Sequence, residues 1–223
     1  MGLDMRPMGK PQPGFEKRFS QIFRIIQGTE KQELSFLDKL KNKKLLSKEE
    51  LLQEWFDNQI PSYETIKAPR VGRDEEANKW IKEKYSETDK SISEIDFINQ
   101  YEGYYVIPLA KERDGIPVYI SFQQDENVFR GQFIQDCIDL IGEELANEAW
   151  ETKFAAEALD YGNRLLAATD KIATERNLQY LKNQYSPPDS DEKSIESKLH
   201  IMYSLSKWLI FYGKNGHGYE ADF

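Results

Sequence analysis

The chain of 223 residues holds little of what usually marks a function. Cys137 is its only cysteine, so no internal disulfide forms, and a reducing, cytoplasmic setting is expected. His200 and His217 are its only histidines, and no HExxH, CxxC, GxSxG, Walker A or EF-hand pattern occurs. No metal and no cofactor is therefore called for. No apolar run reaches the ~18 residues that a membrane span needs, so no membrane partner is expected. The opening residues lack the apolar stretch of a secretory leader, and none is expected. Valine occurs four times, three of them (Val106, Val118, Val128) within one short stretch. Strand-favouring residues are thus scarce elsewhere, and sheet should concentrate there.

What is present suffices for a core. Leu, Ile, Val and Phe make up 24% of the chain, above the ~20% below which chains tend to stay disordered. The net charge is −9, unevenly spread. Residues 1–48 carry 11 basic and 5 acidic side chains, whereas residues 49–223 carry 19 and 34. Such a body repels phosphate, which disfavours nucleic acid as a partner and favours a basic protein. The lysines of the head (Lys39, Lys41, Lys43, Lys44, Lys48) lack interleaved aromatics and fit a solvated helix end.

Periodicity places the helices. Phe15, Phe19, Ile22, Phe23 and Ile26 recur at three- and four-residue steps, with Gly28 as a stop. A weaker helix is expected over 34–43. Ser47 and Glu50 have the spacing of a capping box ahead of Leu51, Leu52, Trp55 and Phe56, and Pro61 ends that helix. Asp74 should open a helix to about Tyr85, and Ser93 a short one around Ile95 and Phe97. Residues 104–110 and 116–122 flank KERDG, whose Asp114-Gly115 pair predicts a β-hairpin over 104–122. Helix should resume from Asn127 to Tyr185, with breaks at Gly142 and Gly162, and again from Asp191 to Tyr212. Boundaries suggest themselves near 61–73 and 185–190. The favoured organisation is nonetheless a single helical domain over 1–223, with an extended segment at 1–14, a loop at 185–190 and an irregular tail at 213–223. The fold class is mainly α (α+β), a multi-helix domain with one small hairpin.

Three residues stand out as ligand-binding candidates: Arg130, Glu157 and His217. Arg130 and Gly131 would sit at a helix N-terminus, where free N–H groups favour an anion, with Arg113 of the hairpin turn approaching. On a wheel started at Trp150, Glu157 lies inside the stripe Trp150, Phe154, Ala158, Tyr161, Leu165 and would need Arg164 as a partner. Asp160 is placed four residues before Arg164, the favourable order for an ion pair. His217 lies in GKNGHG, a glycine-rich loop able to cradle an anion with Lys214; with Glu220 or Asp222 it is the cheapest metal candidate. Asp136, Asp139 and Glu143 point away from the apolar face of their helix, Cys137 points into it, and His200 falls on the polar side of the last helix. The expected function is a soluble, cytosolic, non-catalytic binding protein. The alternative is a hydrolase or transferase in which Glu157, Arg130 and His217 converge.

Overall fold

The computed structural model describes residues 2–34, 44–88, 90–110 and 127–223. Five short strands and eight α-helices form among them. They are β1 (Asp4–Pro7), β2 (Lys10–Pro11), α1 (Glu16–Ile26), α2 (Lys48–Asp57), β3 (Gln59–Ile60), α3 (Ser62–Ile66), α4 (Glu75–Ser86), α5 (Glu94–Gln100), β4 (Phe129–Arg130), α6 (Ile138–Asn147), α7 (Ala155–Arg176), α8 (Ile195–Lys214) and β5 (Tyr219–Asp222). The class is mainly α with some β, as composition and periodicity predict, and the strands described form small antiparallel sheets outside the 104–122 stretch. Contacts gather the chain into two compact units, Gly9–Pro61 and Met1–Met8 with Ser62–Phe223.

In the Gly9–Pro61 unit, the apolar stripe of α1 buries Phe19 and Ile22. The Phe19 ring stacks on Trp55 of α2, with centroids 4.7 Å apart, and Phe23 approaches the same indole at 6.4 Å. Arg18 forks onto Glu54 across this pair, at 2.9 and 2.7 Å. The capping box forms as its spacing predicts: Glu50 N donates to Ser47 Oγ, and Ser47 N donates to Glu50 Oε2. Strands β2 and β3 pair antiparallel, closing the unit. The helix expected over 34–43 falls almost wholly on residues outside those described.

The larger unit is built on α7 and α8, which lie against each other with glycine at the contact. A Cβ on Gly162 would stand 2.8 Å from Leu209 Cβ, and one on Gly213 would stand 2.9 Å from the backbone of Leu159. Gly162 is therefore no break. It lies inside the uninterrupted helix Ala155–Arg176 and permits close approach. Gly142 is a break, at φ 79°, where α6 kinks. The stretch before α6, Gly131–Cys137, winds as a 3-10 helix and delivers Ile134 and Cys137 to the core.

Strands β4, β1 and β5 form an antiparallel sheet in that order. The residues 219–222 at the end of the supposed irregular tail thus pair with β1, Met5 opposite Ala221 and Pro7 opposite Tyr219. Strand β1 alternates and buries Met5 and Pro7, and Leu3 just before it is buried on the same side. Trp208 of α8 packs on Phe129 and Tyr219 of the two flanking strands, and its Nε1 donates to Asn127 O at 3.1 Å.

The first arm of the expected hairpin makes other partners. Val71 N donates to Tyr104 O and Val106 N to Pro69 O, and Ile107–Leu109 is a 3-10 turn. The Asp114-Gly115 turn and the second arm lie outside the described residues. Among these, no helix is long and apolar enough to cross a membrane.

The α7–α8 contact generates an inverted mutational sign. Gly→Ala in an exposed helix stabilises by about 1 kcal/mol. Gly213→Ala, meeting backbone rather than a movable side chain, should instead destabilise by about 1–3 kcal/mol in chemical denaturation. Gly162→Ala should destabilise as well, since its Cβ would meet Leu209 Cβ at 2.8 Å and the Ile210 backbone N at 3.1 Å.

Candidate functional site

The three candidate residues are held by different partners. Arg130 ends β4 and is also the N-cap of the seven-residue 3-10 helix Gly131–Cys137, a helix start as expected, but its Nη1 donates to Asp4 Oδ1 at 2.7 Å across the β1–β4 pair. The anion site expected there has its cation already matched by a carboxylate. Gly131 is packed beneath Leu3 and Met5, and Arg113 lies outside the described residues.

Glu157 is exposed. Its Oε2 accepts from Phe154 N at 2.9 Å, capping the first turn of α7. The wheel misplaced it because Trp150 is not on that helix: Glu148–Trp150 is a separate 3-10 turn, and α7 starts at Ala155. Arg164 turns to Glu148 instead, forking onto it at 2.5 and 2.6 Å while its Nε donates to Asp160 at 2.8 Å. The Asp160–Arg164 pair was read correctly from its spacing; Glu148, sixteen residues away, follows no helical spacing.

His217 is wholly buried, contrary to a loose loop. Its Nδ1 lies 3.0 Å from Met8 O, which only accepts, so Nδ1 carries the proton. In the neutral ring Nε2 then accepts from Thr65 Oγ1 at 2.7 Å. The imidazole ties α3, the chain after β1 and the end of α8 together. His200 is buried too, although the wheel put it on the polar side. The α8 stretch Leu199–Ser206 is enclosed all round, so its polar side meets protein: His200 Nε2 donates to Gln184 O at 3.2 Å. Burial holds the His200 imidazole below its ordinary 6.5, with Lys207 adding to this and the Gln184 bond opposing it. Cys137 is buried as expected, and burial pushes its thiol up to about 12, away from thiolate chemistry.

Surface grooves are found at two places among the described residues. The first, about 420 Å³, lies at the start of α7 and is lined by Glu157, Lys153, Asp160 and Arg164, but by neither Arg130 nor His217. Lys153 is held between Glu151 and Glu148, at 2.9 and 3.3 Å, and Arg164 is saturated by Glu148 and Asp160. The Arg164 guanidinium keeps the Glu148 carboxyl below its ordinary value, Lys153 adds to this, and burial opposes both. Its cations are thus neutralised internally. The second groove, about 310 Å³, lies between α4 and α5 and is lined by Trp80, Ile81, Phe97 and Tyr101 with Lys84 and Glu87. Phe97 is expected from sequence in a short helix; its share in a groove with Trp80 depends on how the two short helices meet.

Among the described residues, no group of three or more His, Cys, Asp or Glu is placed to hold a metal ion. No protein-family model, curated protein or solved structure matches the chain.

Both histidines are testable. His217→Leu leaves the Thr65 hydroxyl and the Met8 carbonyl buried without their partner and should cost about 2–5 kcal/mol in urea denaturation; Thr65→Val should cost about 1 kcal/mol. For His200 the folded pKa is lowered, so the unfolded chain takes up the proton first on acidification. Its contribution is present above pH 6.5 and is lost as pH falls through the folded value. His200→Gln, which keeps a donor to Gln184, should flatten the stability profile just below pH 6.5. Glu148 acts in a lower window, beneath 4.5.

Proposed function

We propose that this chain is a non-catalytic, cytosolic binding protein whose acidic body meets a basic protein partner. One observation carries the reading. Between residues 74 and 102 the chain has nine acidic and four basic side chains, and the eight acids described there (Asp74, Glu75, Glu76, Glu83, Glu87, Glu94, Asp96, Glu102) are all exposed. The surplus is not consumed inside the fold, in contrast to the paired cluster around Glu148. Of the lysines there, Lys84 reaches Glu87 at 2.8 Å and Lys79 reaches Glu83 at 4.0 Å. A surface of one sign steers an oppositely charged protein and rejects phosphate. A single, buried thiol agrees with a reducing compartment.

The test is affinity purification with quantitative mass spectrometry on the full chain and on a charge-reversed variant, Glu75→Lys/Glu83→Lys/Glu94→Lys. Strongly basic proteins should be enriched by the unchanged chain. They should fall on the order of tenfold with the variant and elute as salt rises. Equal recovery by both chains, or only acidic partners, would overturn the proposal.

A further inference from the structure

The α4–α5 groove combines two features seldom placed together. Its floor is apolar and aromatic: Ile81 is buried, and Trp80, Phe97 and Tyr101 pack against the small cluster of Val71, Ala77 and Val106. Its surroundings are acidic. Glu83 follows Trp80 by three residues on α4, and Glu87, itself a lining residue, by seven, so both share the Trp80 row. Across the groove, Glu94 precedes Phe97 and Tyr101 on one row of α5.

The positions of these acids matter. Glu75, Glu76, Glu94 and Asp96 stand in first turns, where the helix macrodipole welcomes negative charge. Glu83 and Glu87 stand at the C-terminal end of α4, where the dipole disfavours it. Helix stability therefore does not account for them. Exposed pairs with Lys79 and Lys84 return little. Lys84 Nζ lies 5.7 Å from the Trp80 ring centroid, so the indole face already accommodates a cation.

We infer that the α4–α5 groove docks a short basic segment of a protein partner, one large apolar side chain entering between Trp80 and Phe97 with flanking Lys or Arg on Glu83, Glu87 and Glu94. The inference rests on the proposed reading of the chain as a binder of basic protein, and it assigns the surface. Charge complementarity selects this occupant: nucleic acid and anionic lipid would meet like charge. At about 310 Å³ the groove has the size for an anchor side chain rather than an extended cofactor. An aromatic-walled anchor pocket with a charged rim is where binding energy concentrates in peptide recognition.

The experiment pans a display library of short random peptides on the full chain and measures the enriched peptide by fluorescence polarisation. Enriched sequences should carry one large apolar residue flanked by Lys or Arg. Glu83→Lys/Glu87→Lys should weaken binding about tenfold at low salt and far less at high salt. Because this variant sets like charges beside Lys79 and Lys84, its circular dichroism is read alongside, and unchanged helix content shows that the loss does not reflect unfolding. Phe97→Ala should weaken binding about tenfold or more at any salt, and amide shifts on peptide addition should cluster in 77–101. If basic peptides bind but the charge variant has no effect and the shifts fall elsewhere, the groove assignment fails while the binding of basic protein stands. If no basic sequence is enriched, both fail.

Discussion

Helices α7 and α8 approach each other through glycine, Gly162 under Leu209 and Ile210 and Gly213 under Leu159. The larger unit depends on that contact. It brings α8 far enough in for every side of its middle to be covered. The 3-10 turn Gly131–Cys137 closes one side, with the Cys137 thiol against Lys198 O. The turn after α7 closes another, with Gln184 on His200. Tyr203 reaches back to Asp170 of α7, which also receives Lys182. At its far end α8 hands the chain to His217 and then to β5, so the sheet edge is positioned by the same helix. A side chain in place of either glycine would force the pair apart and shift each of these contacts, because close-packed interiors have little slack.

That enclosure explains where periodicity succeeded and where it did not. A wheel assumes one continuous helix with one wet side. Helix α1 satisfies both conditions, and its Phe19–Ile22 face is as predicted. The capping box at Ser47 is a local hydrogen-bond pattern and needs no tertiary knowledge. Glu157 breaks the first condition, since Trp150 belongs to a different turn. His200 breaks the second, since α8 has no wet middle. Gly162 and Gly142 look alike in sequence, yet one is a packing contact and the other a kink with positive φ. Only the neighbouring helix distinguishes them. The strand at Tyr219–Asp222 is equally invisible to local pattern, because its pairing partner lies at the opposite end of the chain.

The candidate site divides along the same line. Charges paired within a helix, such as Asp160 with Arg164, follow from spacing. The Glu148–Arg164 fork, the Lys153 contacts and the Thr65–His217 bond join distant residues and do not. What spacing does preserve is the total. An acidic body was counted directly from composition, and the fold then sorts its charge into two kinds. Around Glu148, carboxylates and cations neutralise one another beside buried Tyr161 and Tyr219, whose hydroxyls donate to Leu145 O and Glu148 O. Along α4 and α5 the carboxylates stay in water.

The second kind lies over the smaller apolar cluster of Val71, Ala77, Ile81 and Val106, distinct from the main core around Trp208 and Tyr161. Among the described residues this cluster is much smaller than the core around α7 and α8. Binding surfaces draw on the low-stability end of a fold, because a groove must admit a side chain without opening the core. Phe97 lies on α5, a seven-residue helix capped by Ser93, and Tyr101 is its C-cap; both are partly buried. Ser93 Oγ accepts from Asp96 N and lies 2.6 Å from the Asp96 carboxylate, anchoring the first turn while the aromatic rows remain at the surface. The same helix is thus fixed at one end by its own polar groups and along its apolar row by the rings of Tyr85 and Tyr101 against Phe97. Cys137 and the two histidines, by contrast, are wholly buried.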